Sequence, residues 1–181
     1  MREKVESQVG CGVFYLLFIQ HCHRACINAR PCVCCQEVSA CMTELLKSSS
    51  GRVSMSLFVN ECLLLTVERT STARHHTGKM LHHLIRTHVL TLSDYIAGLH
   101  EFLGLADDMV IDVPRIWQYI AELISPLLLD EHSEIPLDFL RKACAPLLAC
   151  EGGDKAALVI SMVLLDAVHS LVCHSPSVYL S

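Results

Sequence analysis

The chain has 181 residues, a formal net charge of −5 and a hydrophobic fraction of 52%. This length suffices for one domain, or for a domain with a tail, built around a large apolar core. The acidic balance argues against a nucleic-acid binder that relies on phosphate charge alone, and it suits a surface that meets a basic partner.

Cysteine usage and hydropathy indicate neither a secreted nor a membrane-spanning protein. The 11 cysteines are odd in number, and seven of them lie between Cys11 and Cys41 without a regular framework. A disulfide scaffold is therefore not indicated, and a reducing compartment is the simpler interpretation. The apolar run at 13–19 is too short to span a bilayer, and no clear signal-peptide cleavage site follows it. We expect a cytoplasmic protein without membrane association.

The segment 1–35 precedes the helical part of the chain and has an unusual composition. Cys22 and Cys26 have an acceptable spacing for one half of a zinc site, whereas Cys32, Cys34 and Cys35 form a poor second half. A small metal-binding protein built on this Cys/His cluster is one alternative function. The favoured interpretation is that the segment is disordered or is not native coding sequence.

The middle of the chain, residues 36–160, has abundant helix signals and few strand signals. Apolar residues recur at amphipathic-helix spacing between breaks marked by Ser, Gly and Pro. Ser93 is placed to cap the fourth helix, and Asp112 to cap the fifth, with Pro114 in its first turn. The predicted helices cover about 37–47, 53–69, 72–87, 93–106, 114–128, 136–147 and 154–169.

Helices of this length joined by short links favour antiparallel neighbours. We therefore predict an all-α fold of stacked antiparallel helical hairpins. No strict internal repeat can be aligned, so the repeat is expected in the structure rather than in the sequence. After the domain, residues 166–181 start helical and are expected to fray.

No motif nominates a catalytic or cofactor site. No glycine-rich stretch has the spacing of a phosphate-binding or dinucleotide-binding loop, and no nucleophile–base pair is indicated. The histidines cluster without the His-Glu-x-x-His spacing of zinc proteases, so we interpret them as a polar face with one or two partly buried members. They occupy positions 75, 76, 82, 83 and 88. We expect no enzyme activity, no metal and no cofactor.

An acidic stretch between the fourth and fifth predicted helices is the candidate partner surface. It contains Asp107, Asp108 and Asp112. A capping role accounts for Asp112, whereas Asp107 and Asp108 at a helix C-terminus oppose the helix dipole, at a cost of roughly a few tenths of a kcal/mol each. A locally unfavourable acidic turn is a candidate surface for a basic partner.

Two runs, one that contains this acidic stretch and one that follows it, carry a family resemblance. Leu-Ala-Asp-Asp-Met-Val-Ile-Asp-Val-Pro at 105–114 resembles the family run Leu-Ala-Glu-Asp-Met-Glu-Ile-Asp-Ile-Pro. The segment 117–126 is similar to Trp-Leu-Tyr-Leu-Ala-Glu-Leu-Val-Thr-Pro, and further matches lie at 66–74 and 78–84. Together they resemble the MI domain, also written MA-3, of eukaryotic translation initiation factor 4 gamma.

The resemblance implies an atypical HEAT-like stack of antiparallel hairpins over residues 36–165. It also implies a scaffold function in cap-dependent translation: docking the DEAD-box RNA helicase initiation factor 4A, with mRNA engaged indirectly through the initiation complex. The family's opening hairpin is recognisable only in its second helix, near 36–47. We therefore expect exposed apolar surface and marginal stability.

The resemblance also assigns helicase contacts by matching position. They fall on Asp108 and Asp112, less securely on Asp107, where the family has Glu, and on Glu122, for which simple solvation is the alternative. A translational repressor of the same domain family, which would bind this helicase and inhibit it, is a further alternative.

Overall fold

The computed structural model describes residues 36, 38–40, 42–44, 54–128, 138–149 and 153–174. All regular elements in these ranges are helices, which confirms the predicted all-α class. The Cys/His cluster proposed as a zinc site lies outside the described residues. Those described at 36–44 are helical, and the helices after them are α1 (Met55–Val67), α2 (Ser71–Arg86), α3 (Leu92–Met109), α4 (Ile116–Ile124), a 3-10 turn (Ser125–Leu127), α5 (Asp138–Ala143), α6 (Ala145–Ala149) and α7 (Asp154–His174).

Hydroxyl side chains cap the first three of these helices. Ser54 accepts the backbone N–H of Leu57 at 3.4 Å, and Thr70 accepts that of Ala73 at 3.2 Å. The prediction that Ser93 caps the fourth helix was wrong, because α3 begins two residues earlier, after Thr91. The Thr91 hydroxyl accepts the Asp94 N–H at 3.1 Å and donates to the Asp94 carboxylate at 2.6 Å. The first of these bonds satisfies the Asp94 N–H, one of the backbone groups that the first turn of a helix leaves unpaired.

The prediction that Asp112 caps the next helix was also wrong. Helix α4 begins only at Ile116, and its N-cap residue Arg115 makes no side-chain capping bond. Helix α3 runs three residues past its predicted end, and the backbone N–H groups of Asp112 and Val113 close it by donating to the Met109 carbonyl at 3.2 and 2.8 Å. Asp112 therefore belongs to the turn that ends α3, and its carboxylate is exposed.

One apolar core joins the helices. Helix α1 packs mainly on α3, while α2 packs on α4 and α4 also contacts α7. The core extends through the described helical residues near 38–42 at one end and through α7 at the other. Its largest fully buried side chains are Tyr95, Phe58, Phe102, Phe139, Met42, Leu63, Leu81, Leu84, Leu90, Leu99, Ile116 and Ile120. The HEAT-like stacking of hairpins stays a prediction.

The sixth predicted helix is divided in two by a proline. Pro146 has no N–H, so it cannot donate to the carbonyl four residues earlier, at Lys142. The chain turns at Cys144, between α5 and α6. His100 on α3 donates through Nε2 to the orphaned Lys142 carbonyl at 2.8 Å. The break therefore ties α5 to α3.

Helix α7 lies against α4 and the 3-10 turn. The fully buried hydroxyl of Ser125 donates to Asp166 on α7 at 2.9 Å. The helix continues to His174, into the segment expected to fray, since no Pro or Gly interrupts it before Pro176. Within the part of the chain that the structure describes, no helix is both long and apolar enough to cross a bilayer.

Two glycines allow close helix approach. A Cβ placed on Gly98 of α3 would lie 2.3 Å from the Ser56 carbonyl oxygen and 2.7 Å from Val59 Cβ on α1. A Cβ on Gly78 of α2 would lie 2.5 Å from the Leu123 carbonyl oxygen on α4. Backbone atoms cannot move aside as a flexible side chain can. Both helix pairs therefore require a residue without a side chain at these positions.

Substitution of Gly98 tests the α1–α3 approach. We expect Gly98→Ala to lower the free energy of unfolding by about 1–3 kcal/mol, because the methyl group overpacks the crossing. Gly104→Ala is the matched control, since Gly104 lies on the same helix with no atom within 4 Å of the added Cβ. This control should stabilise the protein by about 0.5–1 kcal/mol through better helix propensity. Guanidinium unfolding followed by circular dichroism measures both, and equal effects would contradict the close approach.

Candidate partner-binding site

The last turn of α3 and the segment 110–115 carry three exposed carboxylates. Asp107 and Asp108 lie within α3 itself, and Asp112 follows it in the turn. Val113 is buried and anchors the turn to the core, while its carbonyl accepts the Ile116 N–H at 3.0 Å. The carboxylates are therefore displayed on a hydrogen-bonded backbone. We call residues 107–112 the acidic turn.

Ile111 is the most exposed large apolar side chain of the described residues, at 86% of its maximal area. It lies between Asp108 and Asp112 in the chain. Contact residues of protein interfaces commonly combine an apolar anchor with a charged rim. The sequence reasoning missed Ile111, although its signal was available: it is an apolar residue in a turn, outside the periodic pattern of either helix.

Asp107 differs from the other two carboxylates of the acidic turn. Lys155 of α7 donates through Nζ to Asp107 Oδ1 at 2.5 Å. The same Nζ lies 5.7 Å from the ring centroid of Trp117 on α4. Among the described residues, neither Asp108 nor Asp112 has such an ion pair. The unneutralised charge of the acidic turn is thus concentrated on Asp108 and Asp112.

Glu122, the fourth predicted contact residue, is held inside the domain. Its Oε2 accepts from Arg74 Nε at 2.8 Å, and its Oε1 accepts from Gln118 at 3.2 Å. The side chains of Arg74 and Glu122 are 5% and 18% exposed, so this is a largely buried ion pair. Each carboxylate oxygen accepts a hydrogen bond from within the domain, so the alternative of a simply solvated Glu122 does not describe this position.

Arg74 joins three elements. Besides Glu122, it donates to the carbonyl oxygens of Val67, the last residue of α1, at 3.1 Å, and of Arg69 in the turn that follows. Its guanidinium carbon lies 3.7 Å from the ring centroid of Tyr119 on α4, a cation–π contact. A buried guanidinium requires this degree of satisfaction, because an unpaired charge in the core is strongly unfavourable.

The histidine cluster does not form a metal site within the described residues, where no group of three His, Cys, Asp or Glu side chains could hold an ion. His82 is buried, and three others are partly buried on α2. Burial, followed by the nearby Lys79, lowers the pKa of His75, and burial lowers the pKa of His83. Both imidazoles are therefore mostly neutral at pH 7. His88 lies after α2 in the left-handed region, with φ 57°, and is exposed.

The described residues form an all-helical domain that displays an exposed acidic turn. The MA3 domain model matches residues 35–133, more than half of the chain, so the chain belongs to the MA3 domain family. Mouse eukaryotic translation initiation factor 4 gamma 1 is 37% identical over 113 residues, which are 62% of this chain and 7% of that protein. Mouse and human factor 4 gamma 3 are 39% and 38% identical over 93 residues, about half of this chain and 6% of theirs.

These comparisons confirm the resemblance read from the sequence motifs. The relatives are translation initiation factors, and the chain spans only a small part of their length. The matched range 35–133 includes the acidic turn, α4 and the Arg74–Glu122 pair. It ends before α5, so α7 and Lys155 lie outside it.

Removal of the Glu122 carboxylate tests its structural role. We expect Glu122→Ala to lower the free energy of unfolding by about 2–3 kcal/mol, because it leaves the Arg74 guanidinium buried without its counter-ion. Glu101→Ala removes an exposed carboxylate on α3 and should change stability by less than about 0.5 kcal/mol. Urea unfolding at neutral pH gives both values. If the two variants were equally stable, the proposed structural role of Glu122 would be wrong.

Proposed function

We propose that this chain is a translation-initiation interaction module that binds the DEAD-box RNA helicase initiation factor 4A through its acidic turn. It acts by binding rather than by catalysis, and it meets mRNA only indirectly through the initiation complex. Membership of the MA3 family and the similarity to initiation factors 4 gamma support this proposal. The cytoplasm, where translation takes place, is the proposed location.

The exposed Ile111 beside Asp108 and Asp112 is the observation that carries the proposal. A complementary partner surface has an apolar recess with lysine or arginine side chains around it. Burying Ile111 would contribute apolar binding energy, while the carboxylates would orient the partner and speed its association. We assign Glu122 a positioning role, because its ion pair with the buried Arg74 fixes α4 and its own side chain is only 18% exposed.

Binding of this kind can regulate a helicase without any chemical step. A DEAD-box helicase changes between open and closed arrangements of its domains. A module that binds one arrangement more tightly shifts the population toward it, by no more than the difference in affinity. The same surface therefore serves an activating scaffold or a repressor, and the choice depends on which state it favours.

Charge reversal tests the acidic turn. We expect Asp108→Lys and Asp112→Lys each to weaken binding to purified initiation factor 4A by about tenfold in calorimetric titration, since each places a like charge against the basic partner. Because neither carboxylate caps a helix and a lysine suits the helix C-terminus better than an aspartate, circular dichroism should remain unchanged and thermal stability should not fall. Glu68→Lys, an exposed reversal at the end of α1, is the charge-matched control and should bind like the parent chain.

Truncation of Ile111 tests the apolar part of the surface. We expect Ile111→Ser to weaken binding by about tenfold, because a buried anchor of this size contributes roughly 1–2 kcal/mol at an interface. Leu57→Ser, which alters an exposed leucine of α1, is the control. If Ile111→Ser bound with full affinity, Ile111 would not be an apolar anchor, and only the charge reversals would then test the acidic turn.

The ATPase rate of the helicase separates the two forms of the proposal. Stimulation by the chain supports the initiation scaffold, and inhibition at saturating chain supports the repressor. A folded chain that binds no helicase at all would contradict both.

A further inference from the structure

Lys155 connects α7 to the acidic turn from a distant part of the chain. Its Nζ pairs with Asp107 on α3 at 2.5 Å and lies 5.7 Å from the ring centroid of Trp117 on α4. Three helices thus meet at one cation. Two of them belong to the range matched by the MA3 domain, and the helix that supplies the lysine follows it.

The position of Lys155 is not explained by helix preference. It is the second residue of α7, where the helix dipole disfavours a positive charge. Its placement is explained by the carboxylate and the aromatic ring that it meets. Asp107 and Lys155 remain 42% and 37% exposed, so a solvent-borne or partner-borne cation can reach the same groups.

We propose that Asp107 and Trp117 form a cation-binding notch for a lysine or arginine side chain of the partner, and that Lys155 is its built-in competitor. This inference rests on the proposed function, because the notch adjoins the acidic turn. The partner's side chain takes the place of the lysine, which swings into solvent. An arginine is the better occupant, since its planar guanidinium both pairs with a carboxylate and stacks on an indole ring.

The competition has a modest expected size. An exposed ion pair and an exposed cation–π contact are each weak, so releasing Lys155 should strengthen helicase binding by about two- to fivefold. We therefore expect Lys155→Ala to bind purified initiation factor 4A tighter by that factor. Lys155→Arg, which keeps a competitor, should bind no tighter than the parent chain. Lys142→Ala removes an exposed, ion-paired lysine of α5 and should leave affinity unchanged.

A double-mutant cycle separates competition from a general charge effect. In the parent chain Asp107→Asn removes both the Lys155 pair of the free chain and the partner's pair in the complex, so affinity should change little. In the Lys155→Ala background the same substitution should abolish the gain. Additive effects of the two substitutions would overturn the proposal, because loss of positive charge alone predicts additivity.

Trp117 provides a test that needs no helicase, because it is the single tryptophan of the chain. Quenching of its fluorescence by acrylamide should increase in Lys155→Ala and stay unchanged in Lys142→Ala. An acetylated tri-arginine peptide should then give a saturable fluorescence change in Lys155→Ala, a weaker one in the parent chain and none in the Lys155→Ala/Asp107→Asn double variant.

The outcomes distinguish the two proposals. Unchanged quenching in Lys155→Ala, or no saturable response to the peptide, overturns the notch whether or not the helicase binds. A responsive notch in a chain that does not bind the helicase supports the notch and contradicts the helicase as its partner. Helicase binding that is identical in the parent chain and Lys155→Ala overturns the competitor role and leaves the acidic turn as the binding surface.

Discussion

The buried guanidinium of Arg74 is the interaction on which the arrangement of the site depends. It donates to the last carbonyl of α1 and to the carboxylate of Glu122, and it lies over the ring of Tyr119. These contacts fix the start of α2 against both α1 and α4. Apolar packing alone tolerates sliding between helices, whereas these directional contacts specify one register. Helix α4, once fixed, presents Trp117 toward Lys155 at the start of α7.

Two clusters in the molecule each combine a cation, a carboxylate and an aromatic ring, but only one of them is buried. Arg74 meets a carboxylate and a phenol ring in the core, and Lys155 meets a carboxylate and an indole ring at the surface. In the core, water cannot replace a lost partner, so the contact is permanent and its removal destabilises the fold. At the surface, water and salt weaken the contact, which makes it exchangeable. Burial therefore decides which cluster supports the fold and which can exchange a partner.

Much of the fold was predictable because its signals are local. Apolar periodicity located α1 to α4 to within a few residues, and hydroxyl residues mark the starts of α1 to α3. Local signals failed where distant groups intervene. Pro146 divides a predicted helix, and the carbonyl it leaves unpaired finds His100, 42 residues away. Asp112 is of a residue type that commonly caps helices, but it lies in the turn that ends α3. Residues 110–112 form this turn between Met109 and the buried Val113.

The sequence predicts which acidic residues form the site, but not which of their carboxylates are ion-paired. Three aspartates mark the acidic turn in the sequence, yet the partner of Asp107 lies 48 residues away, as does the Glu122 partner of Arg74. No periodicity links residues at that separation. The contact lowers the unpaired charge of the acidic turn from three carboxylates to two, at the end of a helix whose dipole already opposes them. Lys155, which follows the matched range, thus reduces the unpaired charge of the acidic turn, whereas the residues of the Arg74 cluster all lie within that range.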